Sequence, residues 1–113
     1  METIERRVGN VIVIEMKGQA DAPQDYKDFR KIIDSRSEEG LKSFVLNMSE
    51  CTRLDSMGIG EIVRSLFHVM REGGGLKLAC VPHKIKGLLA ITNLSQIFET
   101  FEDESAAIES FNK

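Results

Sequence analysis

The sequence predicts an α/β fold: a mixed, mostly parallel sheet with helices packed against it, in the order β-β-α-β-α-β-α-β-α. Three observations predict it. Short apolar runs of strand length, VIVI, SFVLNM and LKLACV, alternate with longer segments whose apolar residues recur at helical spacing. Alternation of this kind needs helical crossovers between parallel strands. The first two strands are instead separated only by Gly9-Asn10, a tight-turn pair, which makes them an antiparallel hairpin at one edge. The length of 113 residues, without an internal repeat or Pro-rich linker, fits a single domain over 1–113.

Each element has its own signal. In ETIERRVGNVIVIEMKG the second strand is almost continuously apolar, as a central strand should be, and Gly18 ends it. ADAPQDYKDFRKIIDSRSEEG follows. Here Asp21 and Gln24 have capping-box spacing, Pro23 suits a first turn, and Tyr26, Phe29, Ile32 and Ile33 share one face of a helix ending near Gly40. SFVLNM reads as a buried strand leading through SECTRL into RLDSMGIG. From Met57 onward Ile59, Ile62, Val63, Leu66, Phe67 and Met70 lie on one helical face, and Glu61, Arg64, Ser65, His68 and Arg71 on the other. Gly73-Gly74-Gly75 stops that helix. LKLACV is a buried strand, PHKIKGLLAITN a short helix begun by Pro82, IFETF an alternating strand, and DESAAIESF a last helix capped by Asp103.

Composition narrows the function classes. A net charge of -3 and pI near 5.4, with Arg6-Arg7 and Lys84/Lys86 too sparse to form a basic face, give no basis for nucleic-acid binding. The run Val11 to Ile14 is broken by Glu15, so it is neither a secretory signal nor a membrane span. Cys51 and Cys80 lack zinc-ligand spacing and read as reduced thiols of a cytoplasmic protein, with Cys80 in the core. His68 and His83 are isolated and read as surface or satisfied histidines.

The chemistry concentrates at RLDSMGIG. In α/β sheets functional groups gather beyond the carboxyl ends of strands, where helix N-termini also point. The GQAD segment ending in Asp21 occupies another such corner. If the two preceding strands are neighbours, Asp21 and Asp55 flank Ser56. Ser56, Gly60 and Arg64 fall on one helical stripe, and with Gly58 they leave backbone near the hydroxyl uncovered. A competing reading makes Ser56 only a helix N-cap, since Ser and Asp are preferred there. A serine hydrolase is excluded by the lack of a GxSxG elbow and of a placed histidine base, and a nucleotide fold by the lack of GxGxxG spacing or a Walker lysine. A receiver domain using Asp55 would need an acidic pair after an early strand, where VIVIEMKG offers one Glu.

With its GQAD corner, the strand FVLNM followed by LDSMGIGEIV, and the GGGLKLACV strand, the entire chain resembles the STAS-domain anti-sigma-factor antagonists of bacteria. The resemblance implies a non-enzymatic partner-switching regulator. Ser56 would be the phosphoacceptor, and Asp21, Asp55, Ser56, Met57, Gly58, Gly60 and Arg64 would meet an anti-sigma serine kinase. The unphosphorylated form would hold that kinase and free a sigma factor, and a separate serine phosphatase would reset the switch. ATP belongs to the kinase, so no cofactor is expected here, nor membrane insertion, and the protein would be a monomer or weak dimer. Met57 departs from the second Ser or Thr common in the family, and Gln19-Ala20 from Glu-Leu. A constitutive STAS docking subunit of a transporter or larger assembly, with Ser56 as a structural N-cap, is the alternative.

Overall fold

The computed structural model describes residues 1–20 and 22–112. The hairpin β1 (Glu2–Val8) and β2 (Val11–Ala20) turns at Gly9-Asn10 and pairs antiparallel. Helix α1 spans Pro23–Glu38, β3 Ser43–Asn47, β4 Cys51–Leu54, α2 Ser56–Arg71 and β5 Gly75–Ala79. Helix α3 (His83–Ile91), a single 3-10 turn at Leu94–Gln96, β6 (Thr100–Phe101) and α4 (Glu104–Ser110) complete the chain. The sheet is six-stranded in the order β1-β2-β3-β5-β6, with β4 attached to the far half of β2. Every pairing beyond the hairpin is parallel.

Because side chains alternate across a strand, the central strands feed two cores. Ile12, Ile14, Phe44, Leu46, Leu76 and Leu78 face α1, α2 and α3. Val11, Val13, Val45 and Ala79 face α4 through Ala107. All of Val11 to Ile14 is therefore buried, which is why that run shows no polar alternation. Lys77 fastens α4 to the second face: its Nζ donates to Ser110 Oγ at 2.8 Å and lies 4.2 Å from the Phe111 ring centroid.

The expected element order holds, with one added strand. CTRL, read as part of a connecting segment, is β4; it runs parallel to Gly18–Ala20 after an irregularity between Gly18 and Gln19. IFETF narrows to Thr100–Phe101, while Phe98 turns into the core instead of continuing the strand. The N-cap of α1 is Ala22 rather than Asp21, and Asp25 Oδ2 accepts the Ala22 N–H at 3.0 Å, so the side chain that reaches back to the cap is Asp25 rather than the expected Gln24. Asp21 lies outside the described residues.

Four side chains sit elsewhere than their pattern suggested. The buried arc of α2 runs through Gly58, Ile59, Ile62, Ser65, Leu66 and Val69, leaving Phe67 45% and Met70 52% exposed. Ser65 thus joins the buried side, in the seam against α1. Cys80 is half-buried beyond the end of β5, at φ +57, and packs at the margin of the α4-side core. The triple glycine stops α2 as expected: Gly73 has φ +85, and a Cβ on Gly74 would lie 2.1 Å from the Lys42 carbonyl oxygen.

Candidate functional site

The parallel register of Gly18–Ala20 with Cys51–Leu54 brings the carboxyl ends of β2 and β4 side by side. The Asp55 N–H donates to the Ala20 carbonyl at 3.4 Å, tying the two corners together. Asp55 then takes an extended backbone and caps α2, its Oδ1 accepting the Gly58 N–H at 2.9 Å. The same oxygen accepts the buried Tyr26 hydroxyl at 2.7 Å, and that hydroxyl also contacts the Ala20 carbonyl oxygen. The Tyr26 hydroxyl, then the Gly58 N–H, with Arg53 adding to them, holds the Asp55 carboxyl below its ordinary pKa.

Ser56 is the first helical residue, not the cap. The N-cap reading of this serine is thereby overturned: Asp55 already fills the role. Ser56 is exposed and its hydroxyl makes no hydrogen bond among the described residues. A modification there would meet the positive end of the α2 dipole, which favours anions.

Around it, Met57 is 51% exposed, and Gly60 and Arg64 are exposed on the same side as Ser56. Phe67 continues this surface along the helix. Gly60 is open, with no atom within 4 Å of an added Cβ. Gly58 differs from its expected place on the docking surface. It is buried, and a Cβ would come within 2.6 Å of both Leu54 Cδ1 and Tyr26 Oη, so this glycine admits Tyr26 to the cap. Of the expected partner-binding residues, Ser56, Met57, Gly60 and Arg64 share the open face, Asp55 is engaged in the capping network, and Gly58 lies beneath.

Tyr26 is the residue that sequence reasoning placed in the core without a role. A signal for it existed: a tyrosine on the apolar face with Phe29 and Ile33 must find a partner for its hydroxyl once buried. Cys51 is buried, with its thiol pushed up in pKa by that burial, and is an inert core thiol. His68 stays at the surface, its Nε2 3.5 Å from Glu72 and 3.9 Å from Asp34. Among the described residues no helix is long and apolar enough to cross a membrane.

Comparison with known proteins agrees with this architecture. The STAS domain family model matches residues 3–107. A Thermotoga neapolitana protein named as a candidate anti-sigma factor antagonist is 30% identical over 82 residues, covering 72% of this chain and 73% of that one. The crystal structure of a candidate anti-sigma factor antagonist of Thermotoga maritima superposes with a TM-score of 0.84 at 22% identity, covering 98% of this chain and 95% of that one. The Bacillus cell-fate determinant SpoIIAA in its phosphorylated form gives 0.77 at 17% identity, over 97% and 99% of the two chains. With the family model spanning nearly the whole sequence, the chain belongs to the STAS domain family.

Proposed function

We propose that this protein is an anti-sigma-factor antagonist whose unphosphorylated form binds an anti-sigma serine kinase and so releases a sigma factor, and that phosphorylation of Ser56 switches it off. The observation that carries the reading is the division of labour at the start of α2: Asp55 does the capping, and the exposed Ser56 hydroxyl has no structural partner among the described residues. The names of the Thermotoga relatives and the phosphorylated form of SpoIIAA support it. The chain acts by docking rather than by catalysis, in the cytoplasm.

In the step itself the kinase transfers the γ-phosphoryl group of ATP to Ser56 Oγ. The serine proton passes to a base of the kinase, ADP leaves, and a phosphatase later returns the hydroxyl by hydrolysis. The phosphate adds about -1.5 to -2 charges at a helix N-terminus that favours anions by about 0.3 to 1 kcal/mol, so the fold tolerates it. In an interface the same group must lose its water beside Asp55, and an uncompensated buried charge costs about 3 to 5 kcal/mol. That corresponds to roughly a hundredfold to several thousandfold in affinity. The alternative of a constitutive docking subunit used Ser56 as the cap, a role Asp55 fills. Mass spectrometry of the protein after incubation with its kinase and ATP tests the assignment: phosphate on Ser56 is expected, and phosphate only on Ser35, Ser37 or Ser43 overturns it.

A further inference from the structure

Among the described residues strand β4 has a strand neighbour on one side only. It pairs with β2, and its Thr52–Leu54 segment forms one wall of a groove of about 510 Å³ whose other wall is α3. A strand edge without a partner offers backbone N–H and C=O groups to an incoming chain. The groove is lined by Leu54, Leu88 and Ile91, and Ile91 is 82% exposed. Gly87 lies on the helical wall with no atom within 4 Å of an added Cβ, so a backbone can come close to α3 there.

The charges in this groove run against those of the molecule. The chain carries a net -3, yet Arg53 and Lys84 both line the groove, and neither forms an ion pair among the described residues. Two copies meeting edge to edge would set these cations against their own counterparts, which disfavours self-pairing. Carboxylates meet them favourably.

We propose that the groove between β4 and α3 is a docking site for an extended acidic segment of a partner protein. Its backbone adds a strand to β4, its carboxylates meet Arg53 and Lys84, and an apolar side chain covers Leu88 and Ile91. This contact is separate from the Ser56 switch and needs neither kinase nor phosphate.

The test uses a labelled synthetic peptide of alternating glutamate and leucine, titrated into the isotope-labelled protein, with amide NMR shifts and fluorescence anisotropy as readouts. Shifts centred on Thr52–Leu54 and Lys84–Ile91 are expected, with affinity falling as salt is raised. The double reversal Arg53→Glu, Lys84→Glu should weaken binding by about tenfold or more, and Ile91→Ser should weaken it without altering the salt dependence. Preserved spectral dispersion shows that each variant is folded. Equal binding by a lysine-leucine peptide, no binding of the acidic one, or shifts centred elsewhere overturns the proposal. So does the appearance of the same shifts on concentrating the protein without peptide, which would make a second copy the occupant.

Discussion

The Tyr26 hydroxyl, buried in the first helix, donates to Asp55 Oδ1 at 2.7 Å, the same oxygen that caps α2. A core aromatic thereby fixes where the exposed Ser56 begins its helix. Tyr26→Phe keeps the ring and removes this link, so it should cost about 1 kcal/mol, the usual worth of one hydrogen bond. Chemical denaturation should show a lower midpoint at an unchanged slope. An unchanged midpoint would mean that the hydroxyl contributes nothing to the corner.

Asp55 also gives acid stability a definite direction. Its folded-state pKa lies below the ordinary 3.8, so its contribution is complete above that value and is lost as pH falls through the lower folded value. Asp55→Asn, which caps but does not titrate, should be less stable than the parent at pH 7, with the gap narrowing as pH drops below 3.8. Urea midpoints across the acid range read this directly. A gap that stays constant would show that the carboxylate charge plays no part.

Two glycines two residues apart, and so on opposite sides of α2, should respond in opposite ways. Gly58→Ala drives a methyl group within 2.6 Å of Leu54 and Tyr26 and should destabilise by about 1 to 3 kcal/mol. Gly60→Ala meets nothing within 4 Å and removes a helix-unfavourable residue, so it should stabilise by about 0.5 to 1 kcal/mol. Thermal melting of the pair decides it, and equal losses would contradict the geometry.

Much of this was legible in the residues because the signals were local. The VIVI run, buried on both faces, announced a central strand, and Asp103, whose Oδ1 accepts the Ala106 N–H at 2.8 Å, announced α4. The rest depended on distant partners. CTRL has two exposed residues in its middle and becomes a strand only because Gly18–Ala20 lies alongside. Helical periodicity gave the apolar face of α2, but the width of the buried arc depends on how α1 and α3 flank it, and Phe67 and Met70 fall outside. The exposed Ser56 was found from its motif. That Asp55 rather than Ser56 caps the helix is set by the Tyr26 hydroxyl and the Gly58 N–H meeting the Asp55 carboxylate, since both residue types cap equally well.

Phe67 lies on the open face with Gly60 and Arg64, at 45% exposure. If that face receives the kinase, Phe67→Ser should cost about 1 kcal/mol or less in stability and about tenfold or more in affinity, because apolar anchors dominate interface energies. Paired melting and binding curves separate the two effects. A variant that binds as the parent does would move the docking surface off this part of α2.

The switch itself is tested most directly by calorimetric titration of the anti-sigma kinase with the unmodified protein and with protein stoichiometrically phosphorylated on Ser56. Since Ser56 is not the cap, both forms should melt at similar temperatures, and Ser56→Ala should bind like the unmodified protein. The phosphorylated form should bind at least roughly a hundredfold more weakly, the equivalent of about 3 kcal/mol. Equal affinities for the two forms would contradict the account and leave Ser56 an exposed residue without a regulatory role.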